Sequence, residues 1–317
     1  MASRFLKALI GVALAGAAVS ATAAPAADPE ATVVDALVVA ARQPGPAWWR
    51  VSSPTSTVYV LGAPGALPKG MAWDESTATR RLKGANELIL PPTLSAGAGD
   101  TMAALSILNR LHTQTPMEDS LPPALKARFE ADRAKLGGDP HAYSHWTPAI
   151  AGLQMVNDFR RKAGLDAAEP AKTLRHIGDA QGVHAKPAAT YKAIPLFEAV
   201  AAQAAMVGPP CLADALDEVE AGSGPAHTAA DGWARGDVRA TLSEQRGYEK
   251  CVNSFPKGSD LTRQAIHDTT SAVAEALARP GHSVAVINLR ALLAPGGVLQ
   301  QLQAKGFKVA RPDVADD

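Results

Sequence analysis

Two histidines four positions apart, His141 and His145, are the first side chains whose types and spacing could support chemistry. On a helix this spacing places both imidazoles on one face, which is the geometry of a two-histidine metal clip. No glutamate completes a His-Glu-x-x-His pattern, and Pro140 and the segment 146–148 also fit the start of a helix where these side chains cap and pack. Because the pair lacks a third ligand, a packing role competes with metal binding.

Other catalytic patterns are missing from the sequence. His176, His184 and His267 are isolated from one another, and a lone histidine without a placed partner is more often a hydrogen-bonded structural residue. The chain has no Gly-x-Ser-x-Gly elbow, no P-loop and no dinucleotide-binding glycine fingerprint. These absences give no support to serine hydrolase or nucleotide-dependent chemistry.

The chain contains two cysteines, Cys211 and Cys251. An even number of cysteines in an exported chain predicts one disulfide. Closing a loop of this length would stabilise the fold by roughly 4 kcal/mol at most. Two free thiols are the alternative. A metal site built on these cysteines would need histidine partners at finger-like spacing, and neither cysteine has one.

The N-terminus has the layout of a secretory signal peptide. Arg4 and Lys7 precede an apolar run over 8–19, and small residues follow as far as Ala23. A retained anchor is the alternative, but the run is shorter than the roughly 20 residues that cross a bilayer. No later stretch is both long and apolar enough to do so. We therefore predict cleavage after Ala23 and a periplasmic or secreted chain without a membrane span.

The charge balance argues against a nucleic-acid partner. The chain has 31 basic and 31 acidic residues, and removing the signal takes away Arg4 and Lys7, so the mature charge is 29 − 31 = −2. A balance this close to zero provides no broad positive field for nucleic acid or for an anionic lipid surface.

The pattern of elements predicts the fold class. Short β-branched and aromatic runs indicate strands at both ends of the chain, with helices between them, so distant segments must build the sheet. The strands are predicted in a hairpin over 48–61 and at 87–90, 182–186, 283–289 and 307–311. Helices are predicted at 32–42, 74–84, much of 101–207, a helical hairpin over 211–251, 261–278 and 297–304. This is an α/β (α+β) protein with a mixed central sheet flanked by many helices.

The predicted organisation is a signal peptide at 1–23, an Ala/Pro-rich segment at 24–46 and one domain at 47–312. A chain of this length with 47% hydrophobic residues is near the upper size for a single core.

The layout resembles the TraB/GumN family, which includes the Tiki-type metal-dependent proteases. The resemblance is carried by GPAWWRVSSPTSTVYVLG, LPKGMAW and GANELIL, and later by ADGWARGDVR and GGVLQQLQAKGFKVARP. The stretch with both cysteines is similar to the branch of this family found in exported bacterial proteins. The resemblance implies that the family's chemistry would be metal-dependent peptide hydrolysis, with a divalent ion such as Mn or Co.

The resemblance also implies where a site would lie. The family uses two Gly-x-x-His motifs, two glutamates and a late-helix arginine, since histidine and carboxylate together bind a divalent metal. The matching positions here are Gly62 with Gly65, Pro91, Ala189, Arg263, and Asn288 through Ala291. Only the first glycine and the arginine are kept. Gly, Pro and Ala side chains cannot ligate a metal or transfer a proton.

Two arginines add a possible role in anion binding. Arg263 on the late helix could meet an anionic ligand, and an ordinary surface or interhelical ion pair is the alternative. Arg290, beside the altered second motif, could add positive charge to the same pocket. Such a pocket would favour an acidic group or a peptide carboxylate over a metal.

We therefore predict a catalytically inactive, exported family member without a cofactor. It would act as a binding or interaction scaffold for a peptide, a polysaccharide precursor or another envelope protein. The alternative is a metal-dependent hydrolase or protease with non-standard ligands, such as His141 and His145. A third interpretation is a partner subunit that stabilises an active paralogue.

Overall fold

The computed structural model describes residues 27–41, 45–137 and 139–313. The predicted signal peptide, 1–23, lies outside these residues. The strands in the described part of the chain are β1 (Trp48–Ser52), β2 (Ser56–Ala63), β3 (Leu67–Pro68), β4 (Leu88–Leu90), β5 (Thr93–Ser95), β6 (Leu165–Asp166), β7 (Ala185–Pro187), β8 (Thr190–Lys192), β9 (Gly281–Asn288) and β10 (Lys308–Ala310).

The helices connect and cover these strands. They are α1 (Ser76–Leu82), α2 (Thr101–Leu111), α3 (Pro123–Leu136), α4 (Pro148–Lys162), α5 (Glu169–Ala180), α6 (Ala193–Ala221), α7 (Gly224–Ala234), α8 (Val238–Thr241), α9 (Gly247–Ser254), α10 (Pro256–Leu277), α11 (Leu289–Leu293) and α12 (Val298–Ala304). Several of them carry a proline in their first turn, where its missing N–H has no helical partner to lose. The high proline content is therefore compatible with a largely helical chain.

Six strands form the central sheet in the order β10-β1-β2-β9-β4-β7. β1 runs antiparallel to β2 and β10, whereas β2, β9, β4 and β7 run parallel to one another. The hairpin predicted for 48–61 is present, with Val51 opposite Val58. A mixed sheet flanked by helices confirms the predicted fold class.

Alternate residues of the buried strands pack on opposite faces of the sheet. The side chains of Val60 and Ile287 lie on the face covered by α10, α11 and α12. Those of Leu61 and Val286 lie on the face covered by α1, α5 and α7. A parallel strand buried on both faces reads as a continuous apolar run, which is why 283–289 was a strong strand signal. Leu289 itself begins α11 instead of ending β9.

The disulfide lies in the helical layer beside the sheet. Cys211 on α6 and Cys251 on α9 are fully buried and bonded to each other, with their Cα atoms 4.4 Å apart. The segment between them is not the simple helical hairpin that the sequence predicted. After α6 ends, the chain returns through α7, α8 and α9, because Gly236 takes a left-handed conformation and the Asp237 side chain then caps α8.

The helix predicted for 32–42 is wrong for the described part of that segment. Residues 27–41 contain only a 3-10 turn at Asp35–Leu37. Outside the local turns, backbone groups of this segment bond to distant parts of the chain: Val34 N–H donates to Leu293 O at 2.9 Å, and Ala41 N–H donates to Gly236 O at 2.9 Å. These tertiary hydrogen bonds replace those of a helix.

No single helix within the described ranges has both the length and the apolar composition to cross a membrane. The two arms of α6, Ala193–Ala204 and Met206–Ala221, meet these criteria only when taken together, and they are inclined by 98° to each other. The bend falls one turn before Pro209 and Pro210, where a proline ring clashes with the carbonyl four residues earlier.

Candidate functional site

The carboxyl ends of β2, β9, β4 and β7 meet at one edge of the sheet because these strands are parallel. In open α/β sheets, ligands bind in the crevice outside this edge. Four of the positions singled out from the sequence lie there. Gly65 follows β2, Pro91 follows β4, Ala189 follows β7 and Asn288 ends β9. Across the edge, Thr93 N–H donates to Ala189 O at 3.0 Å.

A cavity of about 340 Å³ opens at this edge. Pro91, Asn288 and Ala291 line it, together with apolar side chains of α10. Glu30, from the N-terminal segment, also lines the cavity and is 8% exposed. Three of the positions that the resemblance singles out thus line this space, and their side chains present ring, amide and methyl groups.

Two of the motif positions, one kept and one altered, have structural explanations. The carbonyl of Gly62 accepts a hydrogen bond from Trp233 Nε1 at 2.7 Å, and a Cβ at this glycine would lie 2.7 Å from Leu289 Cδ1. Close packing therefore requires a glycine here. Asn288 is the N-cap of α11, since its Oδ1 accepts from the backbone N–H groups of Arg290 at 2.9 Å and Ala291 at 3.2 Å.

Arg263 is not among the residues lining the cavity. Its side chain is 54% exposed and makes contacts within α10, with Asp260 Oδ1 at 2.6 Å and Ser259 Oγ at 2.8 Å. Of the two roles considered from the sequence, these contacts correspond to the local ion pair.

A cluster of charged side chains faces Gly65 instead. Gly65 N–H donates to Glu244 Oε2 at 2.8 Å. A Cβ at position 65 would lie 3.3 Å from Glu244 Oε2 and 3.4 Å from Glu249 Oε1. Glu249 is in turn bonded to Arg160, which also holds Glu218. The absent side chain at Gly65 therefore leaves room for two carboxylates.

The N-terminal segment is tied to the same cluster. We call residues 27–31 the N-terminal strap. Arg246 Nη2 lies 3.0 Å from Asp28 Oδ2 and 3.8 Å from Glu30 Oε2. Asn253 Nδ2 donates to Asp28 Oδ1 at 2.8 Å, and Ser259 Oγ donates to Ala27 O at 2.9 Å. These contacts hold Glu30 against the cavity.

Burial dominates the electrostatics of this cluster. It raises the pKa of Glu244 to about 7, and the negative charge of Glu249 adds to the effect. It also raises the pKa of Glu30 to about 7, although Arg246 opposes the shift. Burial and the nearby Arg246 lower the pKa of Arg290. The cluster therefore holds two carboxyl groups that exchange protons near neutral pH.

Glu244→Gln is expected to flatten the pH dependence of stability. Because the folded pKa is about 7 and the ordinary value is 4.5, the folded protein binds this proton more tightly than the unfolded chain. The resulting stability is complete below pH 4.5 and is lost as the pH rises towards 7. At pH 8 the variant should exceed the wild type by about 2–3 kcal/mol, and at pH 4.5 the two should be similar.

Denaturant unfolding at a series of pH values between about 4 and about 8 tests this pH dependence, because that range brackets the ordinary and the raised pKa of Glu244. Glu275→Gln, on the exposed face of α10, is the control and should follow the wild type. An unchanged pH profile in Glu244→Gln would contradict the proposed protonation of this carboxyl group.

His141 and His145 lie in the turn between α3 and α4, not together on a helix. The Nδ1 of His145 is 3.2 Å from Thr113 O. Neither histidine lines the cavity at the sheet edge. Among the residues that the structure describes, no group of three or more His, Cys, Asp or Glu side chains is placed to hold a metal ion.

The sequence identified Arg290 but not the remaining charged residues of the cluster. These are Asp28, Glu30, Arg160, Glu218, Glu244, Arg246 and Glu249. The segment EQRGYEK over 244–250 is rich in charge although it lies between two buried cysteines. That contrast was the one local signal that could have indicated a buried polar site.

The fold and the cavity define an α/β protein with a site at the carboxyl edge of its parallel strands. The model of the TraB/PrgY/gumN family matches residues 47–311, and the chain belongs to this family. This confirms the resemblance drawn from the sequence motifs. Searches of curated proteins and of solved structures found no match.

Proposed function

We propose that this chain is a non-catalytic member of the TraB/PrgY/gumN family that acts as a binding or interaction protein in the cell envelope. One observation carries the proposal: the four positions at which the family pattern has histidine or glutamate are Gly65, Pro91, Ala189 and Ala291 in this chain. None of these side chains can ligate a metal or transfer a proton.

The carboxylates near this edge are already engaged by the protein. Glu244 accepts a hydrogen bond from Gly65 N–H, and Glu249 is bonded to Arg160 at 3.2 Å. A metal ion would have to compete with these contacts for the carboxylates. The cavity, at about 340 Å³, lies within the range of small-molecule sites, which is roughly 300–1,000 Å³. Binding without catalysis is consistent with these features.

Export is part of the proposal. The tripartite N-terminal sequence supports it, and so does the disulfide between Cys211 and Cys251, because disulfides form and persist in oxidising compartments. The occupant of the site would be a peptide, a polysaccharide precursor or another envelope molecule.

A metal-dependent hydrolase is the second candidate, and one observation favours it. Glu244 and Glu30 both have a pKa of about 7, and perturbed carboxyl groups beside a cavity are typical of general acids and bases. In this alternative the metal ligands would include His141 and His145.

Metal analysis of the purified mature chain separates the two functions. We expect no stoichiometric metal after expression with added Mn²⁺ or Co²⁺, and no saturable heat when either ion is titrated in. About one tightly held ion per chain would overturn the proposal. A His141→Ala/His145→Ala double variant then shows whether these histidines hold it, since their loss would remove the ion.

A further inference from the structure

A second cavity lies beside the one at the sheet edge. Its volume is about 530 Å³, and side chains from α2, α4, α6, α9 and α10 line it. Nearly all of them are apolar. At its rim Leu108 and Phe197 are 46% and 45% exposed, which is unusual for side chains of this size. The space is therefore suited to an apolar ligand group.

The two cavities adjoin each other. Leu94 and Leu261 line both of them. The cavity at the sheet edge is itself mostly apolar, and its polar side chains are largely engaged: Tyr191 donates to Asp268 Oδ2 at 2.9 Å, and Thr262 donates to Asn253 Oδ1 at 2.7 Å. Glu30 is the ionisable group that lines it. The combined space thus has one polar end and a long apolar remainder.

Two arginines of the charged cluster, which do not themselves line the cavity, have hydrogen-bond donors without a partner among the described residues. Arg246 is 8% exposed, yet its Nε makes no hydrogen bond with any residue that the structure describes. The same holds for Nε of Arg290, whose distance to Glu244 Oε1 is 4.0 Å. A buried donor without an acceptor is costly. Both guanidinium groups therefore have capacity for a further oxygen ligand.

Glu30 links Arg246 to the cavity. It lines the cavity, and its Oε2 lies 3.8 Å from Arg246 Nη2. The acceptors already gathered around Arg246, from Asp28 and Glu30, are carboxylates. A carboxylate that enters through the cavity would meet Arg246 where Glu30 now lies, and guanidinium groups pair well with carboxylates.

We propose that the two cavities form one binding site for an amphiphilic carboxylate of the fatty-acid type. The carboxylate displaces Glu30 and binds Arg246 and Arg290, and the alkyl chain runs past Leu94 and Leu261 into the apolar cavity. The N-terminal strap is then a competing internal carboxylate. This inference rests on the proposed binding function and names its ligand class.

Calorimetric titration of laurate into the full mature chain tests the proposal, with dodecanol as the matched ligand. We expect laurate to bind with a stoichiometry of about one and dodecanol to bind roughly tenfold or more weakly, the loss expected for a charge-assisted hydrogen bond. Equal affinities would overturn the arginine pairing. Absence of laurate binding would overturn the whole proposal.

Two variants test where the alkyl chain and the carboxylate of the ligand bind. Ala104→Trp fills the apolar cavity and should weaken laurate binding roughly tenfold or more, whereas Ala103→Trp, outside the lining, should not. Glu30→Gln removes the competing charge and should tighten binding by about threefold or more. An unaffected Ala104→Trp, or a Glu30→Gln variant that binds no better, would overturn the placement. These outcomes are independent of metal binding and peptide hydrolysis, which test the proposed function.

Discussion

Arg160→Met is expected to destabilise the fold by about 3–5 kcal/mol, the usual cost of removing one partner from a buried ion pair. Arg160 Nε lies 2.6 Å from Glu218 Oε1, and its Nη1 lies 3.2 Å from Glu249 Oε1. The Arg160 side chain is 13% exposed and that of Glu218 is 6% exposed. Losing the guanidinium group leaves two carboxylates without their compensating charge.

The pKa shifts of Arg160 and Glu218 support a large loss of stability in Arg160→Met. Burial opposes the charge of Arg160, but Glu249 and Glu218 outweigh it and raise the pKa of the arginine. For Glu218, burial raises the pKa more than Arg160 lowers it. Without Arg160, the Glu218 carboxylate would have to take up a proton or admit water.

Chemical denaturation of matched variants measures the effect. Arg161→Met is the control, because Arg161 is 74% exposed and pairs with Asp158 one turn away. It should change stability by about 0.5 kcal/mol or less. Adding Glu218→Gln and Glu249→Gln to Arg160→Met should recover much of the loss, since no buried charge is then left unpaired. A loss in Arg160→Met no greater than in Arg161→Met would contradict the buried network.

Removing the disulfide is expected to cost about 2–4 kcal/mol. Cys211→Ala/Cys251→Ala frees the loop of 40 residues that the bond closes in the unfolded chain. Both cysteines are fully buried beside Ala149, so alanine also removes some packing.

Unfolding measured with and without reductant separates the stability that the disulfide contributes from the stability that the buried side chains contribute by packing. Reductant should lower the stability of the wild type towards that of the double variant and leave the variant unchanged. A wild type whose unfolding is insensitive to reductant would show that the two thiols are free in the protein, and would remove one support for export.

The strands of the central sheet were predictable because most of them carry a local signal, whereas the short strands β3, β5, β6 and β8 were not predicted. The β-branched runs at 58–60 and 284–287 and the breakers at Pro91 and Pro92 act locally. The order of the strands was not predictable, because β9 inserts between β2 and β4 from far along the chain. Such pairing depends on how the helices pack, which no short window encodes.

The candidate site also has a part that was predictable from the sequence and a part that was not. Gly65, Pro91 and Ala291 could be placed from motifs, since each lies within three residues of the end of a strand. The charged cluster could not, because its members meet only in the folded chain: Arg160 and Glu249 are 89 positions apart. The helix predicted for 32–42 was wrong for a related reason, since the backbone N–H groups of Val34 and Ala41 bond to Leu293 and Gly236. Tertiary contacts decided both.

We expect the site at the carboxyl edge of the sheet to bind a ligand and not to catalyse peptide hydrolysis. The most direct measurement incubates the mature chain with a mixed peptide pool, with Mn²⁺, with Co²⁺ or with chelator, and counts new peptide termini by mass spectrometry. We expect no more cleavage of the peptides with the mature chain than in buffer alone, whether Mn²⁺, Co²⁺ or chelator is present. Cleavage that requires the metal and disappears in Glu244→Gln, or in the His141→Ala/His145→Ala variant, would contradict it.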